Sequence, residues 1–327
     1  MKELFKLNLQ LFAEMNTNTT LDSGLSVENK THYDMTLIDE ASPNLIHDQF
    51  AQKRNIPKGG GKKIEFRKFA SLPKATTPLT EGVTPDGKKL SASKIEAEVS
   101  QYGDYVVMSD WLDLTAIDPI VVEATKVVGR QAGLTLDTIT RNILQSGTNV
   151  YYCPKADGTV VESRSALDGT CKLTVDVVKR VAAIFKKNNA PKINGSYVAI
   201  IHPYVAYDLM SDPEWRYPHQ YQDTSNIYEG EIGKIAGVRF VETSEAKIYE
   251  GGVFGSLFIA DGAYGTTNIE GGGLETIIKQ LGSGGVADPL NQRSSVGWKA
   301  SKTAEILIEA YLMRVESKSA FTDIEAN

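Results

Sequence analysis

The spacing of apolar residues between positions 118 and 147 predicts the longest helix of the chain. Apolar side chains recur there every three or four residues, so they share one face of a helix. They are Ile120, Ala124, Val128, Ala132, Leu136, Ile139 and Ile143. Asp118 and Pro119 suit the first turn of such a helix, and Ser146 and Gly147 suit its end. The helix is roughly 40 Å long, and we interpret it as the spine of the fold.

Gly129 and Gly133 lie one turn apart inside the predicted spine helix. Each glycine costs about 1 kcal/mol relative to alanine in a helix interior, so a compensating reason is expected. Two interpretations fit the pattern. Either the backbone of a neighbouring strand or helix comes close at these positions, or the helix bends there.

A second pattern, over residues 58–108, predicts two long strands joined by a long polar loop. Ile64 and Phe66 alternate with charged residues, and so do Ile95 and Ala97, which is the period of a strand with one covered face. The connection at residues 71–92 holds three prolines and two glycines and is far longer than an ordinary hairpin loop. Connections of this length are usually functional or disordered, so we expect an extended β-hairpin loop.

The rest of the chain alternates helical and strand patterns. A helix is predicted after Thr174, an N-cap candidate, and another after His202; a small hairpin is predicted over residues 150–170. The predicted strands cover residues 196–201, 238–241, 257–260 and 274–279, with one or two long strands over 294–316. This order indicates an α+β protein with a compact mixed α/β domain in its second half.

Two segments leave alternatives open. Residues 1–13 are rich in leucine and phenylalanine, and they are either a strand or helix packed on their own domain or an arm that docks on a partner. Residues 212–230 hold one tryptophan and three tyrosines, Trp215, Tyr217, Tyr221 and Tyr228, and form either an interface or a loop packed on the same domain.

Composition narrows the class of protein. The chain has 327 residues, 41% of them hydrophobic, which suffices for a sizeable core in one large or two ordinary domains. Its net charge of −6 and pI near 5.4 argue against tight wrapping of nucleic acid, which depends on Lys and Arg neutralising phosphates. This balance suits a container that must not adhere to its contents. No stretch is long and apolar enough to cross a bilayer, so we expect a soluble protein with no membrane partner.

Charge is distributed unevenly around the predicted hairpin. Residues 53–94 hold eleven basic and three acidic residues, whereas residues 95–145 hold three basic and eight acidic ones. The basic loop is either simply solvated or reaches the acidic side of another copy of the chain. The candidate contact residues for the second interpretation are Lys62, Lys63, Arg67, Lys68, Lys88 and Lys89 on the hairpin, and Glu123 and Asp137 on the spine helix.

Catalytic and cofactor motifs give no candidate site. The four histidines, His32, His47, His202 and His219, have no partner at metal-ligand spacing, and we expect each to be structural. Cys153 and Cys171 are too few for a disulfide scaffold and are expected to be plain thiols. The lysines and glycines of residues 58–63 lack the spacing of a phosphate-binding loop and precede a strand. We therefore predict no cofactor, no metal and no catalysis, with an enzyme using an unrecognised carboxylate pair as the remote alternative.

The order of these parts resembles the major capsid proteins of tailed bacteriophages, with the Hong Kong 97-like fold. A closer resemblance to the phage N-four-type major capsid family is carried by LFKLNLQLFA (4–13), PLTEGVTPDG (78–87), GEIGKIAGVRFVET (230–243) and RSSVGWKASKTAEIL (293–307). The resemblance covers nearly the whole chain.

This resemblance implies a domain plan with five parts. They are an N-terminal arm (1–55), an extended β-hairpin loop (56–108), the spine helix of the peripheral domain (109–150), a central or axial domain (151–280), and C-terminal strands that return to the peripheral domain (281–327). One sequence must fit both five-fold and six-fold neighbours, so hinges are expected at Gly59, Gly60, Gly61 and Gly103.

The resemblance also implies a function. The chain would assemble into hexamers and pentamers of an icosahedral shell around double-stranded DNA, which it would contact weakly and without sequence specificity. Scaffolding, portal and decoration proteins are the other implied partners. Assembly in the host bacterial cytoplasm and a final place in the virion capsid follow. An encapsulin-like shell around a protein cargo would have nearly the same subunit and remains an alternative.

Overall fold

A computed structural model describes residues 17–18, 46–69, 72–79, 81–84, 86–116, 120–215, 231–284, 288–321 and 325–327. The chain divides into two compact units. The first unit comprises Met1–Glu40, Tyr102–Ala132 and Leu274–Ala300, and the second comprises Ala41–Gln101, Gly133–Gly273 and Ser301–Asn327. The predicted N-terminal arm lies almost entirely outside the described residues, as do Asp118, Pro119 and the tyrosines of residues 216–230.

The structure gives the bounds of four α-helices. They are α1 (Asp110–Thr115), α2 (Ile120–Gln145), α3 (Val175–Lys187) and α4 (Pro203–Ser211). Helix α2 is the predicted spine helix, and its end at Gln145 agrees with the stop signal at Ser146 and Gly147. Thr174 is the N-cap residue of α3, as predicted, but its side chain makes no capping hydrogen bond. The Asp212 carboxylate accepts from the Val175 N–H instead (3.1 Å).

Strands form two larger sheets and one isolated ribbon. In chain order they are β1 (Thr17–Asn18), β2 (Gln52–Ile56), β3 (Lys63–Phe69), β4 (Ala92–Glu98), β5 (Ser100–Ser109), β6 (Val150–Tyr152), β7 (Tyr197–Ile201), β8 (Glu231–Ile235), β9 (Val238–Glu242), β10 (Ile248–Tyr249), β11 (Val253–Ile259), β12 (Tyr264–Ile269), β13 (Glu275–Lys279), β14 (Arg293–Ile306) and β15 (Leu312–Ser317). Each strand predicted outside the 150–170 segment is present, whereas β1, β2, β8, β10 and β12 were not predicted.

The first unit combines α1 and the N-terminal half of α2 with strands from distant parts of the chain. Strand β1 pairs with β5 in parallel, and β13 pairs with β14 in antiparallel register. The buried hydrophobic side chains described in this unit are Val107, Met108, Leu112, Val128, Ala132, Val296, Trp298 and Ala300. The Trp298 indole N–H donates to the Gln131 side chain at 3.4 Å.

The second unit is organised by a seven-stranded sheet. Its strand order is β6-β15-β11-β7-β9-β8, with β10 paired to β11. Strand β7 reads YVAII and is buried along its whole length. Tyr197, Ala199 and Ile201 pack on the face that holds α3 and α4, whereas Val198 and Ile200 pack on the other face with Leu144. A sheet covered on both faces requires a continuous apolar strand, which explains the absence of alternation in this segment.

One prediction about the ends of this sheet is wrong. Residues 150–170 do not form a small hairpin, because β6 pairs in parallel with β15. The exposed Val160, with 74% of its surface accessible, lies in the following loop. The C-terminal strand β15 lies inside the seven-stranded sheet, between β6 and β11, and its Arg314 guanidinium donates to the carbonyl of Gln145, the last residue of the spine helix. The return of the C-terminal strands to the peripheral domain stays a prediction. Sequence periodicity identifies a strand without identifying its neighbours, which are chosen by long-range packing.

Candidate assembly surface

The base of the extended hairpin is anchored on its own subunit. Strands β3 and β4 are antiparallel, with Phe66 opposite Ile95. Phe66 is buried, and its ring lies where a side chain at Gly265 would be: a Cβ on Gly265 would come within 3.1 Å of the ring. The Arg54 guanidinium lies 5.7 Å from the centre of the same ring. One apolar face of the predicted ribbon is therefore covered within the second unit.

The hairpin also carries ion pairs, both within a strand and between its two strands. Lys62 and Lys63 pair with Glu98, and the Lys63 contact measures 3.8 Å. Arg67 lies 3.6 Å from Glu65, and Lys94 lies 3.7 Å from the same carboxylate. Lysines and glutamates at alternate positions of paired strands meet across the ladder. Lys62, Lys63 and Arg67 each have a partner within their own hairpin, and their contact with another copy of the chain stays a prediction.

These ion pairs also shift the pKa values of their members. The hydrogen bond and charge of Glu98 raise the pKa of Lys62, and Lys62 in turn lowers the pKa of Glu98. Lys94 lowers the pKa of Glu96 in the same way. All four groups are exposed, so solvent screens the pairs and each stabilises the hairpin only slightly.

The connection between the two strands carries apolar side chains that its own subunit does not cover. Every residue described between positions 72 and 90 is exposed. The accessible fractions of the four large apolar side chains are Leu72 52%, Leu79 78%, Val83 62% and Leu90 68%. Lys88 and Lys89 are also exposed, and neither has an ion pair among the described residues. We call residues 72–90 the hairpin loop; it is apolar, it holds three lysines and two acidic residues, and its described residues are uncovered.

The two acidic candidates of the spine helix lie in different environments. Glu123 is partly exposed and pairs with Lys126 at 2.8 Å. Asp137 is 2% exposed and accepts from the His47 N–H at 2.9 Å, while its second oxygen lies 2.6 Å from His47 Nδ1. Asp137 was predicted to contact a neighbouring subunit, but its carboxylate is enclosed by its own. The Lys68 side chain lies outside the described part of the structure.

Glycines next to the hairpin have different roles from one another. Gly59 and Gly61 have φ values of 86° and 83°, in the region that favours glycine, and the Gly60 N–H donates to the Pro57 carbonyl at 2.9 Å. This tight turn joins β2 to β3, where hinges were predicted. Gly103 is a position of close packing instead, because a Cβ there would lie 2.7 Å from the Trp298 carbonyl oxygen.

Inside the spine helix, Gly129 does not support the interpretation that the backbone of a neighbouring strand or helix comes close. A Cβ at Gly129 would meet nothing within 4 Å in its own subunit, so close backbone approach is not the reason for this glycine.

The described histidines and cysteines have structural surroundings. His202 is the N-cap residue of α4, and its Nδ1 accepts from the Tyr204 N–H at 3.1 Å. Burial lowers the pKa of His202 to about 4. Cys153 and Cys171 are free and buried thiols, and burial raises the pKa of both. A thiol that is buried and protonated is a poor nucleophile.

Neither a metal cluster nor a membrane span is found in the described part of the chain. The acidic, histidine and cysteine side chains that the structure describes form no group of three that could hold a metal ion. None of the described helices combines the length and hydropathy needed to cross a membrane.

Sequence comparison matches the middle of the chain to one family. A model of the family described as phage capsid protein matches residues 122–267, from the start of α2 to β12. No curated protein matches the chain significantly.

Comparison with solved structures finds the same fold in viral capsids. The capsid of cyanophage P-SCSP1u superposes with a TM-score of 0.66 at 14% identity, covering 89% of this chain and 93% of that one. The capsid of Ralstonia phage GP4 gives a TM-score of 0.65 at 12% identity, covering 84% and 89%. The encapsulin complex of Synechococcus elongatus gives a TM-score of 0.54 at 10% identity, covering 85% and 89%.

These similarities bear on the predicted fold. At 10–14% identity the structural likeness is one of fold, and it extends over more than four fifths of both chains in each comparison. Together with the family match, it confirms the predicted α+β fold of the Hong Kong 97 type and the resemblance to the major capsid proteins of tailed phages. The closer likeness to the phage N-four-type family stays a prediction.

Proposed function

We propose that this chain is a phage capsid protein and builds the closed icosahedral shell of a virion, as hexamers and pentamers, around double-stranded DNA. The observation that carries the proposal is the hairpin loop. Its four large apolar side chains, each more than half exposed, project from a ribbon whose base is fixed on the second unit. A monomeric protein rarely exposes so many apolar residues in one segment unless another molecule covers them.

A second copy of the chain is the partner that fits the hairpin loop. The loop holds three lysines and two acidic residues beside its apolar side chains, whereas the chain as a whole carries a net charge of −6. Lys88 and Lys89 lack an ion pair among the described residues, so they are available to acidic groups of a neighbouring subunit. Attraction of this kind steers the encounter and sets the register, while apolar burial supplies most of the affinity.

The turn between β2 and β3 supports packing around both five-fold and six-fold axes. Gly59 and Gly61 adopt backbone conformations that other residues rarely take, and the added Cβ of either would meet nothing within 4 Å. Space around this turn lets the hairpin change its angle while its base stays attached. One sequence then fits two ring sizes, which a closed shell of pentamers and hexamers requires.

The net charge of the chain indicates how the shell holds its contents. An acidic chain holds packaged DNA weakly and without sequence specificity, because few phosphates are neutralised. Assembly takes place in the cytoplasm of the host bacterium, with scaffolding and portal proteins, and decoration proteins bind the finished shell. The work of the chain is self-association and not catalysis.

An encapsulin-like shell around a protein cargo is the second candidate. It is supported by the fold shared with the Synechococcus elongatus encapsulin complex. The subunit physics is nearly the same in both cases, so only the contents of the particles separate the two. Purified particles that protect DNA from nuclease support the virion shell, whereas particles that hold a protein and no DNA support the encapsulin alternative.

The proposal is tested by shortening the hairpin loop. Phe69 and Ala92 are paired neighbours at the ends of β3 and β4, so a short Gly-Ser turn can replace residues 70–91 without strain on the base. We expect the wild-type chain to form hollow particles by negative-stain microscopy, and the shortened chain to stay a folded small species in size-exclusion chromatography.

Two controls complete this test. Val160→Ser removes an equally exposed apolar side chain outside the hairpin and is expected to leave particles intact. Circular dichroism checks that the shortened chain keeps its secondary structure. A wild-type chain that remains a compact monomer under all assembly conditions contradicts the shell itself, and normal particles from the shortened chain contradict the role of the hairpin loop.

A further inference from the structure

Strand β13 presents an open edge in the first unit. Among the described residues it pairs only with β14, in the register Glu275 opposite Lys299 and Lys279 opposite Ser295. Four of its five residues are exposed, including Ile278, with 48% of its surface accessible. The backbone N–H and C=O groups on the far side of such a strand are available to another strand, and proteins usually protect apolar edges of this kind.

The sequence of β13 is complementary to itself when two copies run antiparallel. The strand reads Glu-Thr-Ile-Ile-Lys. If Ile277 lies on a two-fold axis, Glu275 of each copy faces Lys279 of the other, and Thr276 faces Ile278. Opposite charges and β-branched pairs are both favourable across an antiparallel ladder. A parallel arrangement in register would instead place like charges side by side.

The two ends of β13 carry opposite charges. No ion pair of Glu275 or Lys279 occurs in the part of the chain that the structure describes, although Lys299 lies opposite Glu275 in the ladder. Lys279 has only the uncharged Ser295 opposite it. The two charges therefore remain available at the two ends of a strand of five residues, at the spacing that an antiparallel partner of the same sequence requires.

We propose that β13 pairs with β13 of a second copy across a two-fold axis, which joins the two β13–β14 ribbons into one continuous sheet. A two-fold contact uses the same surface patch on both copies, so that patch must be complementary to itself. The sequence of β13 meets this requirement. The inference rests on the proposed shell, because an icosahedral shell supplies two-fold relations between its subunits. The strand is short and the pair is weak alone, and repetition over many copies provides the stability.

Charge reversal tests the register of this contact. Glu275→Lys places a lysine against Lys279 of the second copy at both ends of the pair, and Lys279→Glu places two glutamates together in the same way. Each single variant is expected to weaken the contact about tenfold and to lower the yield of particles accordingly. The double variant E275K/K279E restores opposite charges and is expected to restore the yield.

The control for this series is Lys299→Glu. It changes the residue opposite Glu275 within the chain and leaves the open edge untouched, so it is expected to keep the wild-type yield. If the single reversals acted only through the β13–β14 ladder, the double variant would not recover, because the lysine introduced at position 275 would still face Lys299. Failure of the double variant to recover overturns the proposal, and so does wild-type assembly of both single variants.

A thiol cross-link distinguishes failure of this contact from failure of the shell. Ile277→Cys places two thiols on the proposed axis, and a short bis-maleimide is expected to give covalent dimers in assembled particles. Val160→Cys is the exposed control, and the native Cys153 and Cys171 are buried. If particles of the Ile277→Cys variant give no dimers, the edge is covered by a different segment or a different protein, and the proposal is then wrong while the shell stands. Absence of particles from the wild-type chain refutes the shell and this contact together.

Discussion

At the scale of the residue, burial decides what a charged or polar side chain does. The spine helix buries Asp137, Thr140, Arg141 and Gln145 among its apolar neighbours. Asp137 binds His47, and the Thr140 hydroxyl donates to Asp48 at 2.7 Å. A buried polar group needs a partner, since leaving one unpaired costs about 1–3 kcal/mol. Asp137 and Thr140 therefore hold residues 46–50 against the helix. The negative charge of the buried Asp137 carries no information about a neighbouring subunit.

His202 gives a prediction at the same scale. Its folded pKa is about 4, below the ordinary value of 6.5, because burial between Tyr204 and Phe254 disfavours the charged ring. The unfolded chain therefore binds more protons than the folded chain between these pH values. Stability contributed by neutral His202 is present above pH 6.5 and is lost as the pH falls towards about 4.

Thermal unfolding of the subunit across this pH window measures the effect. His202→Asn keeps a side chain that can cap α4 but removes the titration. We expect the variant to be less stable than the wild type at neutral pH, because ring packing is lost, and to show a shallower fall of Tm on acidification. Equal slopes for the two proteins would show that His202 does not control the acid sensitivity.

At the scale of the element, the extended hairpin has two physically different parts. Its base obeys the strand period, with Phe66 and Ala97 buried and the alternate residues paired by charge. The hairpin loop shows no strand period, and all of its described residues are exposed. Helix α2 also has one position that its own subunit does not explain. Gly129 is exposed and has open space where a Cβ would lie, although a helix interior favours alanine.

Substitution of Gly129 separates the subunit from the assembly. Gly129→Ala is expected to raise the free energy of unfolding of the subunit by about 0.5–1 kcal/mol in urea denaturation, because the backbone entropy lost on folding decreases. Gly265→Ala is the contrasting variant and is expected to lower it, because the added methyl group would press on the Phe66 ring. A gain in stability accompanied by loss of particles would place a neighbouring subunit close to Gly129, and no gain at all would contradict the prediction.

At the scale of the whole molecule, the net charge and the distribution of charge along the chain both affect how copies of the chain interact. The chain is acidic overall, whereas residues 53–94 hold eleven basic and three acidic residues, so the proposed assembly predicts attraction between copies through the hairpin and repulsion elsewhere. Because Lys62, Lys63 and Arg67 are paired within the hairpin, we expect this attraction to depend on the remaining lysines of the loop.

Reversal of these charges is the corresponding prediction. Lys88→Glu with Lys89→Glu is expected to leave the subunit folded and to prevent particles, because attraction to an acidic neighbour becomes repulsion. Lys88→Arg with Lys89→Arg keeps the charge and is expected to assemble. Sizing and negative-stain microscopy at low and high salt check both variants. Normal particles from the glutamate variant would contradict the hypothesis that the hairpin loop binds acidic groups of a neighbouring subunit.

The sequence by itself determined the main elements of this protein and their order. The spine helix, the long hairpin and the buried strand β7 each leave a local signature, because periodicity reports which faces are covered. The resemblance to phage capsid proteins followed from that order and from four short motifs. Boundaries agree within a few residues wherever a cap or a glycine marks them.

Only the tertiary structure decided which side chains meet. Asp137 and His47 are ninety residues apart in the chain, and Arg164 binds the buried Glu316 across 152 residues, so neither partnership has a sequence signature. Strand β15 entered the middle of a sheet, and Gly103 became a packing contact, for the same reason. Pairing depends on where distant segments come together, which local periodicity does not encode.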